Sequence, residues 1–279
     1  VVLDQYDNRL LITPAVGGFV VVTLSMQFVE AYPLFLLLRV VGGCLGGFMF
    51  TVGANIIGEV FPAGRQGLVT GVYLASPPAA FAVAHITGAP IGSNFGPLRV
   101  FILYGAFALL GGVLLLLATN ESIRSHEPPS LREYPSVLAE RSVLLTGVSA
   151  FAGYTLYMFL NTWIPTYGLE VFSLPLSTAG MLTATVSLTG IVARPTGGWI
   201  SSRIEDRRRP VLAVALVGGT VLFVVIPVTE TLILFTVMLT AAAFVIQLGT
   251  GVYFTLAREL APAGSEATSI AVLTTVSFM

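Results

Sequence analysis

Glu59-Val60-Phe61-Pro62-Ala63-Gly64 returns as Glu259-Leu260-Ala261-Pro262-Ala263-Gly264, at an offset of 200, and each copy follows a long apolar run. Four shared identities in six residues can arise by chance, so the reading depends on other landmarks keeping the same offset. Arg9 and Arg209 each open an apolar run, Leu34 and Leu234 open the next, and Leu68 and Thr268 the one after. Repeats of 20 to 50 residues signal solenoids or propellers; a repeat of about 200 in an apolar chain predicts two homologous membrane halves.

The chain has 279 residues, 55% hydrophobic and 10% charged. Soluble domains average about 25% charged residues, so the composition is that of a polytopic membrane protein, all-α in fold class. All 13 basic residues are Arg, and the formal net charge of -1 implies no nucleic-acid partner. The single Cys44 lies in an apolar run and reads as a small packing residue; one cysteine makes no disulfide within the chain.

A helix needs about 20 apolar residues to cross a bilayer. Runs of that length occupy Leu10 to Phe28, Leu34 to Ile57, Leu68 to Ile91, Val100 to Ala118, Ser142 to Thr166, Leu176 to Ile200, Val211 to Val228 and Leu232 to Leu256, and a ninth begins near Thr268. They do not alternate in the short segments of a β-barrel. Loops of one parity hold Arg9, Arg65, Arg124, Arg132, Arg141, Arg203, Arg207, Arg208, Arg209 and Arg258, whereas the other parity holds only Arg99. Arg-rich short loops remain inside, so the first set is expected to be cytoplasmic, together with Val1. The longest connection, 119–141, is polar and separates an N-terminal bundle, 1–118, from a C-terminal bundle, 142–279. The phase of the repeat predicts a fragment running from helix 3 to helix 11 of twelve.

With these segments placed, the chain resembles a transporter of the major facilitator superfamily. That family carries Gly-x-x-x-Asp-Arg-x-Gly-Arg-Arg between helices 2 and 3, and a weaker copy between helices 8 and 9. Here Asp4-Gln5-Tyr6-Asp7-Asn8-Arg9 keeps the Asp and the last Arg, and Gly198-Trp199-Ile200-Ser201-Ser202-Arg203-Ile204-Glu205-Asp206-Arg207 has Ser202 in the place of Asp. The resemblance implies two six-helix bundles that give alternating access to a central site.

Glu59 and Glu259 end long helices on the face that bears Asp4, Arg9, Arg65, Arg203, Arg207 and Arg209. Exposed ion pairs, worth about 0 to 1 kcal/mol each, suit a cytoplasmic gate that opens without unpacking a core. Arg39 lies about 9 Å inside its helix, where a lipid-facing guanidinium would cost about 2.5 kcal/mol or more. It also matches the family's Arg-x-x-x-Gly pattern, which the resemblance associates with proton coupling. Every one of the 14 carboxylates falls at a helix end or in a loop. His85, after the Pro77-Pro78 break, is then the candidate proton relay within the visible helices.

A cavity with Arg39, and Arg194 as a second candidate, but no acid favours an anion. Arg194 sits in Gly190-x-x-x-Arg194-Pro195-x-Gly197-Gly198, and its placement toward the inner end leaves snorkelling to the interface open beside substrate contact. Tyr154, Tyr157 and Asn161 form a polar aromatic stripe at helical spacing, with Trp163 and Tyr167 beyond it expected in an interfacial belt. Gln247 and Thr250 are candidates for the opposite wall.

The drug-exporter pattern of helix 5 is poorly matched by Ala84-x-x-x-Gly88-Ala89-Pro90-Ile91-Gly92. No phosphate-cradling loop, nucleophile elbow or metal spacing is present, so neither an enzyme nor an ATPase is expected. The expectation is a monomeric secondary transporter of the cell membrane, taking up a small organic or inorganic anion with protons and holding no cofactor. The rival readings are proton-driven export of a drug or metabolite, and a non-transporting sensor on the same fold.

Overall fold

A computed structural model describes residues 6–119, 122–123, 140–204, 207–261 and 266–278. They form nine helices and no strand: α1 (Asn8–Ser25, with a 3₁₀ turn Met26–Phe28), α2 (Tyr32–Val60), α3 (Ala63–Phe95), α4 (Pro97–Ala118), α5 (Arg141–Glu170), α6 (Leu176–Arg203), α7 (Arg208–Val228), α8 (Leu232–Glu259) and α9 (Glu266–Ser277). Each apolar run falls on its own helix. The helices extend past the runs because the flanking residues start helices well. Pro sits in the first turn of α2 and α4, where no N–H is needed. Asp7 caps α1 by accepting from Arg9 N at 3.0 Å, and Glu140 caps α5 by accepting from Ser142 N at 3.3 Å. Gly96, at φ 91°, ends α3 and starts α4 in a single residue, a backbone state that suits glycine.

Seven helices (α1, α2 and α4 to α8) are both long and apolar enough to cross a membrane; α3 is long enough but more polar. The repeat persists in detail, since α1 closes on a 3₁₀ turn at Met26–Phe28 and α7 on one at Ile226–Val228, again 200 residues apart. The copies differ in winding, because α7 alone carries a π segment, Val214–Gly218.

By contacts the chain forms two units: Val1–Thr70 with Pro90–Leu131, and Gly71–Ala89 with Arg132–Met279. In the first, α1 packs on α2 and α4. Gly105 and Gly112, two turns apart on α4, let Thr23 and Val16 of α1 approach closely. Ile123 returns to the start of α1: its carbonyl accepts from Asn8 N at 2.9 Å and Asn8 Nδ2 at 3.2 Å, and its N–H donates to Asp7 Oδ1 at 3.1 Å. Its side chain is buried with Val52 and Ile56.

In the second unit the most extensive contact is between α6 and α8. Gly197 of α6 faces the Leu248 backbone and Gly190 faces Gln247, so close that a methyl group at either would collide. One reading needs correction here. Cys44 is exposed on α2 and not packed, because the helix turns that face away from its neighbours. Tyr167, near the end of α5, lies flat on the fully buried Phe235, ring centroids 5.1 Å apart.

Candidate functional site

The second unit gathers its polar side chains around Arg194. On α6, Thr183, Ser187, Gly190, Arg194, Gly197 and Ser201 follow helical spacing and form one buried, small or polar stripe. Arg194 is 5% exposed. Its Nη1 donates to the Leu74 carbonyl at 2.6 Å and its Nε to Gln247 Oε1 at 3.3 Å, while the guanidinium carbon lies 5.5 Å from the Tyr157 ring centre.

The Leu74 contact has a cause in the sequence. Proline has no N–H, so Pro77 and Pro78 release the carbonyls of Tyr73 and Leu74, four residues earlier in α3. Ser76 Oγ takes the first at 2.6 Å and Arg194 takes the second. A buried cation thus gains an acceptor that an unbroken helix would have used itself.

Gln247 is fully buried and fully committed. Its Nε2 donates to the Val186 carbonyl at 2.9 Å and Thr189 Oγ1 at 3.1 Å, and its Oε1 receives Arg194. The missing side chain at Gly190 creates the space it occupies. Asn161 Nδ2 donates to the Tyr157 carbonyl at 2.8 Å, and its Oδ1 accepts from Ser187 Oγ at 2.6 Å. Of the six buried side-chain polar atoms that lack a hydrogen-bond partner among the described residues, two lie here: the Tyr157 hydroxyl, beside Ser187 and Asn161, and His85 Nε2, beside Asn161. His85 also stacks on Phe81 with ring centroids 6.4 Å apart. Tyr154 is half-buried, its ring 6.3 Å from that of Tyr157.

No carboxylate among the described residues pairs with Arg194, and its Nη2 donates to none of them. Neutral oxygens and a π face carry the charge. Such a site holds a guanidinium in place and leaves it electrically uncompensated.

Tyr157 and Gln247 therefore lie against one cation, whose central place the sequence reading left open, with Tyr154 beside Tyr157; Asn161 and His85 belong to the same polar chain farther along, through Tyr157 and Ser187 and not through Arg194. The helix length supplied a signal: Arg194 is nine residues, or about 13 Å, from Arg203 at the end of α6, too deep for easy snorkelling. Arg39 is on the other unit, exposed, 5.9 Å above the Phe101 ring. Thr250 is half-buried on α8.

Of the gate residues, Asp4 and the side chain of Arg65 lie outside what the structure describes. Arg9 donates from Nη2 to the Leu116 carbonyl at 3.1 Å, and Arg203 lies over the Trp199 ring at 5.2 Å. Glu59, Arg207 and Arg209 are exposed. Glu259 is engaged within its own unit by Arg208, a residue outside the expected set: Nη2 reaches Oε1 at 2.6 Å and Nη1 reaches Ser201 Oγ at 2.8 Å. Position 8, the counterpart of Arg208, is Asn, whose side chain holds Ile123 instead. The two copies of the repeat are thus wired differently at this end.

The family description Major Facilitator Superfamily matches residues 1–279. The chain belongs to the major facilitator superfamily. Among curated members of the superfamily, it is 27% identical over 224 residues to a probable nitrate/nitrite antiporter, NarK1, of Thermus thermophilus, covering 75% of this chain and 49% of that protein. It is 27% identical over 240 residues to the citrate-proton symporter of Klebsiella pneumoniae, covering 77% and 53%. The chain spans about half the length of these relatives. Among solved superfamily structures, a bacterial homologue of the human lysosomal transporter Spinster matches 99% of this chain and 66% of its own at a TM-score of 0.72 and 20% identity, a likeness of fold.

Proposed function

We propose that the protein is a secondary active transporter that carries a small organic or inorganic anion inward with protons. The observation that carries this reading is Arg194, buried in a membrane-crossing helix with no carboxylate beside it among the described residues. A guanidinium at such depth costs about 2.5 to 3.5 kcal/mol, which favours a function that uses the charge. An anion meeting Nη2 would supply the missing counter-charge, with the Tyr157 hydroxyl as a further hydrogen-bonding group. Similarity to proteins named for nitrate, nitrite and citrate supports the anion class.

In this reading the bundles 1–118 and 142–279, joined by the cytoplasmic linker 119–141, rock about the site, and the energy comes from a proton gradient. His85 and Arg39 are the groups assigned to coupling. Asp4, Arg9, Glu59, Arg65, Arg203, Arg207, Arg209 and Glu259 are assigned to the cytoplasmic gate. The working unit is a monomer in the cell membrane.

The test is uptake of nitrate and of citrate by the full-length protein in proteoliposomes, with and without an inward pH gradient. Wild type should accumulate one of them faster with the gradient. Arg194→Gln should remove about 2 to 5 kcal/mol of binding, a loss of roughly 30-fold or more. Arg194→Lys should recover little of this, because an ammonium cannot span the Leu74 carbonyl and Gln247 as the planar fork does. Undiminished uptake in Arg194→Gln would overturn the assignment.

A further inference from the structure

A groove of about 480 Å³ runs between α6 and α8, open along one side and lined by Thr189 from α6 and by Thr236, Thr240, Ala241 and Phe244 among others from α8. Its three threonine hydroxyls are turned into their own helices: Thr189 donates to the Val186 carbonyl, Thr236 to Leu232 and Thr240 to Thr236, each at 2.7 Å. The wall therefore presents methyl groups, a small residue and an aromatic ring.

Both helices are membrane-crossing, and the α8 residues lie between about 6 and 20 Å along the helix from Leu232. At that depth the surrounding medium is the hydrocarbon of the bilayer, about 30 Å thick in all. A gap of this size left unfilled would forfeit the dispersion contacts of its whole lining.

One lining residue does more than bound the groove. Thr189 Oγ1 accepts from Gln247 Nε2 at 3.1 Å, and Gln247 Oε1 accepts from Arg194 Nε. Thr189 and Arg194 point about 140° apart around α6, so two faces of that helix are joined through one glutamine.

We propose that the groove is a binding site for an acyl chain of a membrane phospholipid, and that its occupancy biases the position of Arg194 through Thr189 and Gln247. The groove itself does not depend on the anion reading; the second clause rests on it. Because coupling is reciprocal, whatever loosens Arg194 from Gln247 must also alter occupancy of the groove.

The experiment reconstitutes the full-length protein with phosphatidylcholine bearing a diazirine on its acyl chain, irradiates it, and maps the adducts. Labelling of 236–245 should exceed, several-fold, that of 217–225 on α7, whose Val217, Val221 and Val224 are also exposed. Equal labelling of the two stretches would mean only bulk lipid. No labelling of 236–245 would mean that another helix or a second copy covers the groove. Either result overturns the proposal. Ala241→Phe should reduce labelling several-fold by filling the groove, with Ala241→Met as the milder filler should the first fail to fold; Val221→Phe should leave it unchanged.

For the coupling, Thr189→Val removes the hydroxyl and keeps the shape. It should shift the half-saturating nitrate or citrate concentration several-fold while leaving the labelled stretch the same. An unchanged half-saturation defeats the coupling alone. Transport of neither probe, with the labelling pattern as expected, defeats the anion reading and leaves the groove standing.

Discussion

Arg194 and Pro78 are 116 positions apart and act on one carbonyl. Pro78 withholds the N–H that Leu74 would otherwise accept, and Arg194 supplies a donor in its place at 2.6 Å. Pro78→Ala should return an N–H to α3 and straighten it. The thermal midpoint should then rise, since an interior proline costs a helix about 3 kcal/mol, while anion uptake falls several-fold because Arg194 has lost sole claim on its anchor. A uniform fall in both would instead mark Pro78 as a packing residue. Little of this was legible in the sequence. The Gly190-Arg194-Gly197 spacing and the Pro77-Pro78 break are both visible there, but nothing local indicates that one serves the other. Gln247 was legible as a polar residue in an apolar run, and Tyr157 and Asn161 as a stripe. Arg208 was not, because it sits among Arg207 and Arg209 and only the turn at the start of α7 decides which of them reaches Glu259.

At the scale of elements, the nine helices followed from apolar run length. Their boundaries moved outward wherever a proline or an acidic cap could open a turn, as at Pro97 and Glu140. How closely two helices approach is a separate matter, set by glycines whose partners the sequence does not name. Gly197 and Gly198 are adjacent on α6, yet a methyl at 197 would run into the Leu248 backbone whereas one at 198 would meet nothing within 4 Å. Gly197→Ala should lower stability by about 1 to 3 kcal/mol or more, because a backbone carbonyl cannot move aside as a side chain can. Gly198→Ala should be neutral or gain up to about 1 kcal/mol from helix propensity. Thermal unfolding of the purified protein in detergent separates the two; equal midpoints would mean that α6 and α8 have slack that the structure does not show.

For the whole molecule, the internal repeat was the feature that organised everything else, and it survives as matched 3₁₀ turns at Met26–Phe28 and Ile226–Val228. Its limit is also clear, since equivalent positions such as Asn8 and Arg208 hold different partners. Nor did the repeat foretell that Gly71–Ala89, the middle of α3, packs with residues after 132. The backbone therefore passes between the two contact units three times, near 70, near 89 and near 131, and the polar linker accounts for only the last of these. A chain cut once within 124–139 loses one tie and keeps two. The piece ending before the cut still carries Leu74 and His85, each docked on α6 through Arg194 and Gly180. The two pieces, expressed from separate genes, should co-purify and keep uptake within a few-fold of the intact protein; pieces that part in mild detergent would show that the linker holds what α3 does not. A linker that the sequence marks as the hinge pin of the molecule is, on this division of the chain, expected to be the most dispensable of its three stitches.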